Sequence, residues 1–355
     1  MIQLSILDQS PVAEGKTPAE ALAQTTRLAQ EAERLGYRRF WVSEHHYTLS
    51  LAGSSPEVLI AHLAAKTATL RIGSGGVMLP HYSPYKVAEN FRVLEALHPG
   101  RIDLGLGRAP GGMPLATRVL QEGRERGGDR YPQQVDDLIG YLHDTLDERH
   151  RFAGLRATPV VETAPEVWLL GSSGESAKLA AERGAGFAFA QFINGMEEVG
   201  VEAMQTYHRH FRPSELGAEP RTLVAIFAIC AETEEAAKRV ASSLELSLLL
   251  IEQGAAAKGV PSVETAQTYP YTAFDQYRLA ANRKRMIVGS TEQVKQKIEA
   301  LCAAYNTTEC MVVTITHDFA ARLHSYQLLA EAFGLMREQR QEARPKPSAS
   351  GAQDS

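Results

Sequence analysis

Short apolar runs alternate with longer helical patterns along almost the whole chain, and this alternation restricts the fold more than any other feature. Ile2 to Asp8, Arg39 to Ser43, Leu70 to Met78, Arg101 to Leu106, Val167 to Leu170, Gly186 to Ala190, Leu223 to Ala231 and Met311 to Thr316 read as eight strands. The stretches between them carry helix start and stop signals. Thr17 and Glu20 form a capping box around Pro18, and Gly36 stands where that helix must end. Ser55-Pro56 and Ser83-Pro84 open the next two helices, the second with Val87, Phe91 and Leu94 on one face. Tyr141 and the segment Ala177 to Glu182 lie in further helices, and Ser290 with Gln293 makes another capping box.

A crossover helix returns the chain to the same end of a sheet, so repeated β-α units demand parallel strands. Eight such strands favour closure over an open sheet. The expected fold is therefore an α/β (β/α)8 TIM barrel with insertions. Ala109 to Asp129 reads as a long loop or partly ordered insertion, and Pro261 to Arg285 as an insertion before the final helix. Residues 1–338 are expected to form the barrel. Residues 339–355 are expected to be a disordered tail, since Pro, Ser, Lys and Gly from Arg344 onward leave little to bury.

Composition narrows the classes of function. A net charge of −5 argues against a nucleic-acid partner, which favours a basic face. No apolar run approaches the length of a membrane span, and Met1-Ile2-Gln3-Leu4 lacks the look of a secretory leader. Cys230, Cys302 and Cys310 have no metal-binding spacing and cannot all pair, so a cytoplasmic location is expected.

In a (β/α)8 barrel, function collects at the C-terminal ends of the strands. After the second strand comes Glu44-His45-His46, where an imidazole can act as acid or base. Neighbours on an extended chain point to opposite faces, so His45 and His46 are not expected to share a metal. The third strand carries Gly73-Ser74-Gly75-Gly76, which suits either a side-chain-free wall for a flat ligand or a crowded barrel interior. After the fourth strand, Arg108 follows Gly105-Leu106-Gly107. Its fork suits a phosphate or carboxylate, although a surface ion pair would use it as well. Pro110 interrupts the helix that a nicotinamide-binding glycine motif would need. The fifth strand runs into Gly171-Ser172-Ser173-Gly174-Glu175-Ser176 at the start of a helix. Free N–H groups and small hydroxyls there suit a phosphate, and simple N-capping would look the same locally.

Taken in order, these segments resemble the bacterial-luciferase-like flavin monooxygenase superfamily, in particular its short single-chain bacterial branch. The resemblance rests on Gly73–Pro80, Gly100–Gly111 and Trp168–Ser173, with the closing segments Val312–Asp318 and Ala321–Ser325, and spans Ile2 to about Leu335. It implies FMN as cofactor, with reduced FMN as cosubstrate alongside oxygen and a small organic substrate. It further implies His45 as the active-site histidine, Gly75-Gly76 as a cis-peptide wall under the flavin ring, and Arg108 on the flavin phosphate. Ser172, Ser173, Gly174 and Ser176 would help at the helix start. A separate flavin reductase and a homodimer packed through helices near the early strands are also implied. The position of the light-emitting enzyme's reactive cysteine is Gly107 here, so luminescence is not implied. Hydride transfer with a flavin or deazaflavin, non-catalytic flavin binding, and a metal-dependent hydrolase using His45 or His46 are the rival readings.

Overall fold

In the computed structural model, which describes residues 2–123, 129–255 and 258–335, all the paired strands run parallel. β1 (Gln3–Asp8), β2 (Arg39–Val42), β3 (Arg71–Met78), β4 (Ile102–Gly107), β5 (Glu166–Gly171), β6 (Gly186–Ala190) and β7 (Thr222–Ala231) follow one another around a barrel. β9 (Glu309–Val313) closes it between β7 and β1. The expected (β/α)8 barrel is the observed fold.

The surrounding helices begin and end where the local signals place them. α1 (Pro18–Leu35) has the Thr17–Glu20 capping box and a left-handed Gly36 at its C-cap. A Cβ on Gly36 would also stand 2.9 Å from the carbonyl oxygen of Leu335, so both backbone angle and space demand glycine there. α2 (Pro56–Lys66) and α3 (Pro84–Leu97) each take Pro at the first turn. Val87, Phe91 and Leu94 are buried beneath α3, as their spacing requires. α5 (Tyr131–His143) and α6 (Gly174–Glu182) follow. α11 (Thr291–Ala304) carries the Ser290–Gln293 capping box. α12 (Phe319–Phe333) closes the described chain.

Both insertions hold more structure than the sequence suggests. The first contains α4 (Pro114–Leu120). The second contains α9 (Val263–Thr268) and α10 (Ala273–Arg283), and α10 starts on a Thr272–Asp275 capping box. A ninth strand, β8 (Met286–Ser290), then pairs with the C-terminal half of β7 from Phe227 to Ala231. Four of its five residues are only partly buried, so it lacks the apolar signature of the barrel strands. The last barrel strand also starts earlier than expected, at Glu309, and stops at Val313. Beyond it the N–H of Thr314 donates to the Tyr326 hydroxyl instead of to a strand. The expected tail, residues 339–355, lies outside the described residues.

Alternation along the strands sets two packing zones. Leu4 and Ile6 of β1 face the helices, whereas Leu7 joins Trp41, Trp168, Met311 and Val313 in a separate cluster inside the barrel. Near the strand N-termini this interior is ionic. Arg39 opens β2 and is 1% exposed. It donates to Asp103 of β4 at 2.7 Å and to Glu309 of β9 at 2.7 and 3.3 Å, and its guanidinium lies 4.8 Å from the centre of the Trp168 ring. Arg71 reaches the other oxygen of Asp103 at 2.5 Å, and the Trp41 indole donates to Asp103 at 2.8 Å. Burial alone would raise the Asp103 carboxyl, but Arg39 and Arg71 outweigh it and hold the group below the usual carboxylate range. Removing a partner from such a buried set leaves a charge unpaired, which makes it a clamp on four strands. Among the described residues no helix is long and apolar enough to cross a membrane.

Candidate functional site at the C-terminal end of the barrel

Parallel register carries the candidate residues to one end of the barrel. His45 lies three residues beyond β2, Gly75 and Gly76 lie in the second half of β3, Arg108 follows β4 directly, and Ser172–Ser176 span the turn after β5 and the first residues of α6. The Gly75–Gly76 peptide is cis, at the position the resemblance implies. The β3–β4 register shifts there, Gly75 pairing with Gly105 and Val77 with Leu106. Added side chains would have nowhere to go. A Cβ on Gly75 would stand 2.7 Å from Leu7 Cδ1, and one on Gly76 would stand 2.7 Å from the Gly105 carbonyl oxygen. Crowding therefore accounts for both glycines, while the backbone of Gly75 keeps a partly accessible, side-chain-free surface. A side chain at Gly107 would likewise meet Met78 Sδ at 2.9 Å.

The helix start after β5 is open to a ligand. Ser173 is the N-cap of α6, yet its side chain accepts no capping hydrogen bond, so the first-turn N–H groups gain nothing from it. Among the described residues, no neighbour beyond the local backbone comes within 4 Å of a Cβ placed on Gly174, whereas Gly171 lets Ser176 pack against β5. The carbonyl of Ser172 accepts from Asn194, which ties this turn to the segment after β6. Arg108 reaches toward the same turn. Its fork pairs with Asp129 at 2.8 Å and lies 3.6 Å from Glu175, with half its side-chain surface exposed. The Glu175 side chain is 86% exposed, and among the described residues its ionic hold on the site is this long contact with Arg108. An anion at the helix start would find a guanidinium and unspent backbone donors together.

At the end of β2 the extended alternation continues past the strand, and each histidine pairs with the residue two before it. His45 Nδ1 shares a 2.9 Å hydrogen bond with Ser43 Oγ, and His46 Nε2 donates to Glu44 at 2.6 Å. The two rings thus take different partners, as their opposite facing predicts. Burial, with a smaller contribution from His46, pushes the His45 ring down to about 4, so at neutral pH it is an uncharged imidazole. Among the described residues no hydrogen bond or ion pair joins His45 to Arg108; β3 stands between their strands.

Glu44 is the residue that sequence reasoning passed over. Fully buried, it accepts from the Met78 N–H at 2.9 Å, the Tyr82 hydroxyl at 2.6 Å and His46 at 2.6 Å. It thereby fastens the end of β2 to the end of β3 and to the segment that follows. Its spacing to His46 was the available signal; its other two partners are long-range. Next to this group, His81 donates to the Pro110 carbonyl at 2.7 Å and accepts from Gln121 at 3.2 Å. At the end of β1, Asp8 pairs with Arg322 at 3.2 Å and accepts from Thr25 at 2.5 Å, a second buried ionic contact beyond local sequence. Among the described residues, no three His, Cys, Asp or Glu side chains are grouped so as to hold a metal ion. All three cysteines are buried and free.

Fold and site first define a (β/α)8-barrel protein whose candidate site side chains gather at the C-terminal ends of its strands. Its affiliation is narrower than that. The Luciferase-like monooxygenase family matches residues 2–308, and the chain belongs to that family. It is 61% identical over 333 residues to the uncharacterized protein YwcH of Bacillus subtilis, covering 94% of this chain and 99% of YwcH. It is 42% identical to the N-acetyl-S-alkylcysteine monooxygenase of the same organism, over 94% of this chain and 98% of that one. Among solved structures, apo-MsnO8 superposes with a TM-score of 0.85 at 38% identity, covering 94% and 99% of the two chains. The oxygenating constituent of 3,6-diketocamphane monooxygenase from Pseudomonas putida, in complex with FMN, shares the fold. Its TM-score is 0.69 at 20% identity, over 94% and 97% of the two chains.

Proposed function

We propose that this chain is an FMN-dependent monooxygenase that uses reduced FMN and molecular oxygen to oxidise a small organic substrate. The observation that carries the reading is the convergence of the Arg108 fork with an uncapped helix start at the C-terminal end of the barrel. Arg108, with Ser172, Ser173, Gly174 and Ser176, would hold the phosphate. The partly accessible backbone of Gly75, at its cis bond to the buried Gly76, would lie against the ring. His45, neutral at working pH, would accept a hydrogen bond or a proton from the reacting groups. When bound in its reduced form, FMN supplies the electrons for oxygen chemistry, and the chain positions it and excludes water.

Reduced FMN would come from a separate flavin reductase, since no nicotinamide motif interrupts the β-α pattern. The relative named N-acetyl-S-alkylcysteine monooxygenase makes N-acetylated thioethers the first substrates to assay. Val58 of α2 and Val93 and Leu97 of α3, which stand 72%, 45% and 62% exposed, support a homodimer formed through these helices, and a cytoplasmic setting fits the free thiols. Light scattering that gives a monomer mass at micromolar concentration would contradict the dimer.

The test is an anaerobic titration with reduced and oxidised FMN, run beside the deazaflavin F420, followed by admission of oxygen. Saturable binding of reduced FMN and oxygen-dependent substrate oxidation are expected. Preference for F420 with hydride transfer would refute the oxygenase reading. Flavin binding without turnover on any substrate would leave a carrier in its place.

A further inference from the structure

The segment between β4 and α5 contains a helix of inverted polarity. Thr117 and Arg118 of α4, with Gln121 one turn on, line a cavity of about 1000 Å³. Met113, Leu115 and Val119 of the same stretch are instead 54%, 49% and 64% exposed. A helix packed on a globular protein ordinarily does the reverse. The start of α5 lines the cavity with a matching polar face, from Arg130 through Gln134 to Asp137, four and then three residues apart.

Most of these groups are already engaged. Gln121 donates to His81, and Gln134 donates to the carbonyls of Leu79 and Tyr82. Asp137 is held by His150 and Arg151, and Asp129 by Arg108. Arg118 and Arg130 have no hydrogen-bond or ion-pair partner among the described residues. The cavity thus presents two unneutralised guanidinium groups between proline-rich walls at Pro80, Pro84 and Pro110. It also touches Tyr82, which donates to Glu44, and Asp129, which holds Arg108, so it adjoins the strand-end site.

We infer that this cavity receives an organic anion, and that Arg118 and Arg130 bind its carboxylate. The volume suits a molecule of metabolite size, and planar forks match carboxylate oxygens. As an assignment of the substrate class the inference rests on the flavin reading above; as a binding site it stands alone.

The test uses calorimetric titration of the full chain, with and without FMN, by benzoate, N-acetylmethionine and the methyl ester of each. Each acid should bind at least about ten-fold more tightly than its ester, and added salt should weaken only the acids. Arg118→Gln and Arg130→Gln should each weaken acid binding roughly ten- to hundred-fold, the effect of one charge-assisted hydrogen bond, without changing FMN affinity. Both side chains are exposed, so unchanged melting temperatures should accompany these losses. Equal binding of acid and ester, undiminished acid binding in both variants, or no acid binding to either form would overturn the inference. Displacement of FMN by the acids, or loss of FMN affinity in the variants, would assign the cavity to the flavin phosphate and overturn it too. Failure of the flavin reading shows separately, as an unaltered chain that binds the acids but not FMN.

Discussion

His45 gives a prediction whose sign and size both follow from its surroundings. An ordinary histidine takes up a proton near 6.5, whereas burial and the nearby His46 push this one down to about 4 in the folded chain. Above 6.5 the imidazole is neutral in both states and stability does not respond to it. As pH falls through 6.5, the unfolded chain binds the proton and the folded chain does not, so stability drops until about pH 4, where the loss is complete. At pH 4.5 the loss amounts to about 2.5 kcal/mol. His45→Gln keeps a polar group without the titration. Urea unfolding of both proteins at about pH 7.5 and 4.5 cancels the carboxylates they share and isolates the histidine. The variant should gain on the unaltered chain by about 2.5 kcal/mol as pH is lowered. Parallel pH dependences, or an NMR titration of His45 with a midpoint near 6.5, would refute the reasoning. In catalysis the same neutrality makes His45 an acceptor. His45→Ala should cut oxygen-dependent turnover about 10²- to 10⁴-fold while FMN affinity stays within a few-fold.

Other substitutions separate scaffold from site. Arg39→Met leaves Asp103 and Glu309 short of a buried partner and should destabilise the barrel by about 3–5 kcal/mol at neutral pH, a deficit that narrows in acid as the unaltered chain loses the same contribution; a shift under 1 kcal/mol in urea midpoint analysis would show that the ionic clamp is dispensable. The acid direction follows from Asp103, whose depressed carboxyl contributes stability above the ordinary aspartate range that is lost as pH falls through its folded value. Glu44→Gln places an amide among three donors and should cost roughly 1–3 kcal/mol for each donor left unpaired, read as a lower melting temperature; an unchanged melt would mean the triad adds little. Gly75→Val should impair both flavin binding and stability, because its Cβ meets Leu7 and Trp41; a normal melt with normal flavin binding would place the wall elsewhere.

The barrel was legible because its strands are continuous apolar runs and its helices carry local caps, as at Thr17–Glu20 and Ser290–Gln293. β8 escaped because only Gly289 within it is fully buried, leaving no periodicity to read. The capping box of α10 escaped for a smaller reason: Asp275 stands where Glu or Gln is the usual signal. In the site, each candidate segment lies at a strand end, since register and parallel direction follow from the β-α repeat. The networks were not legible. Arg39 meets Glu309 across 270 residues and Asp8 meets Arg322 across 314, and no local pattern encodes such pairings. Glu44 and His46 were within reach, because an extended chain places residues two apart on one face. Replacing His46 would therefore take one donor away from the buried Glu44 carboxylate.

The most direct test of the account is phosphate recognition, measured as the affinities of FMN and riboflavin for the unaltered chain and for Arg108→Ala. Arg108 loses only exposed contacts with Asp129 and Glu175 when a phosphate takes its fork, and the α6 N-terminus adds backbone donors. FMN should bind the unaltered chain more tightly than riboflavin does. Arg108→Ala should weaken FMN roughly ten- to hundred-fold, the worth of one charge-assisted hydrogen bond, and leave riboflavin nearly unchanged. Equal losses for the two ligands, or no preference for FMN in the unaltered chain, would contradict a flavin phosphate held by Arg108 at the mouth of the barrel.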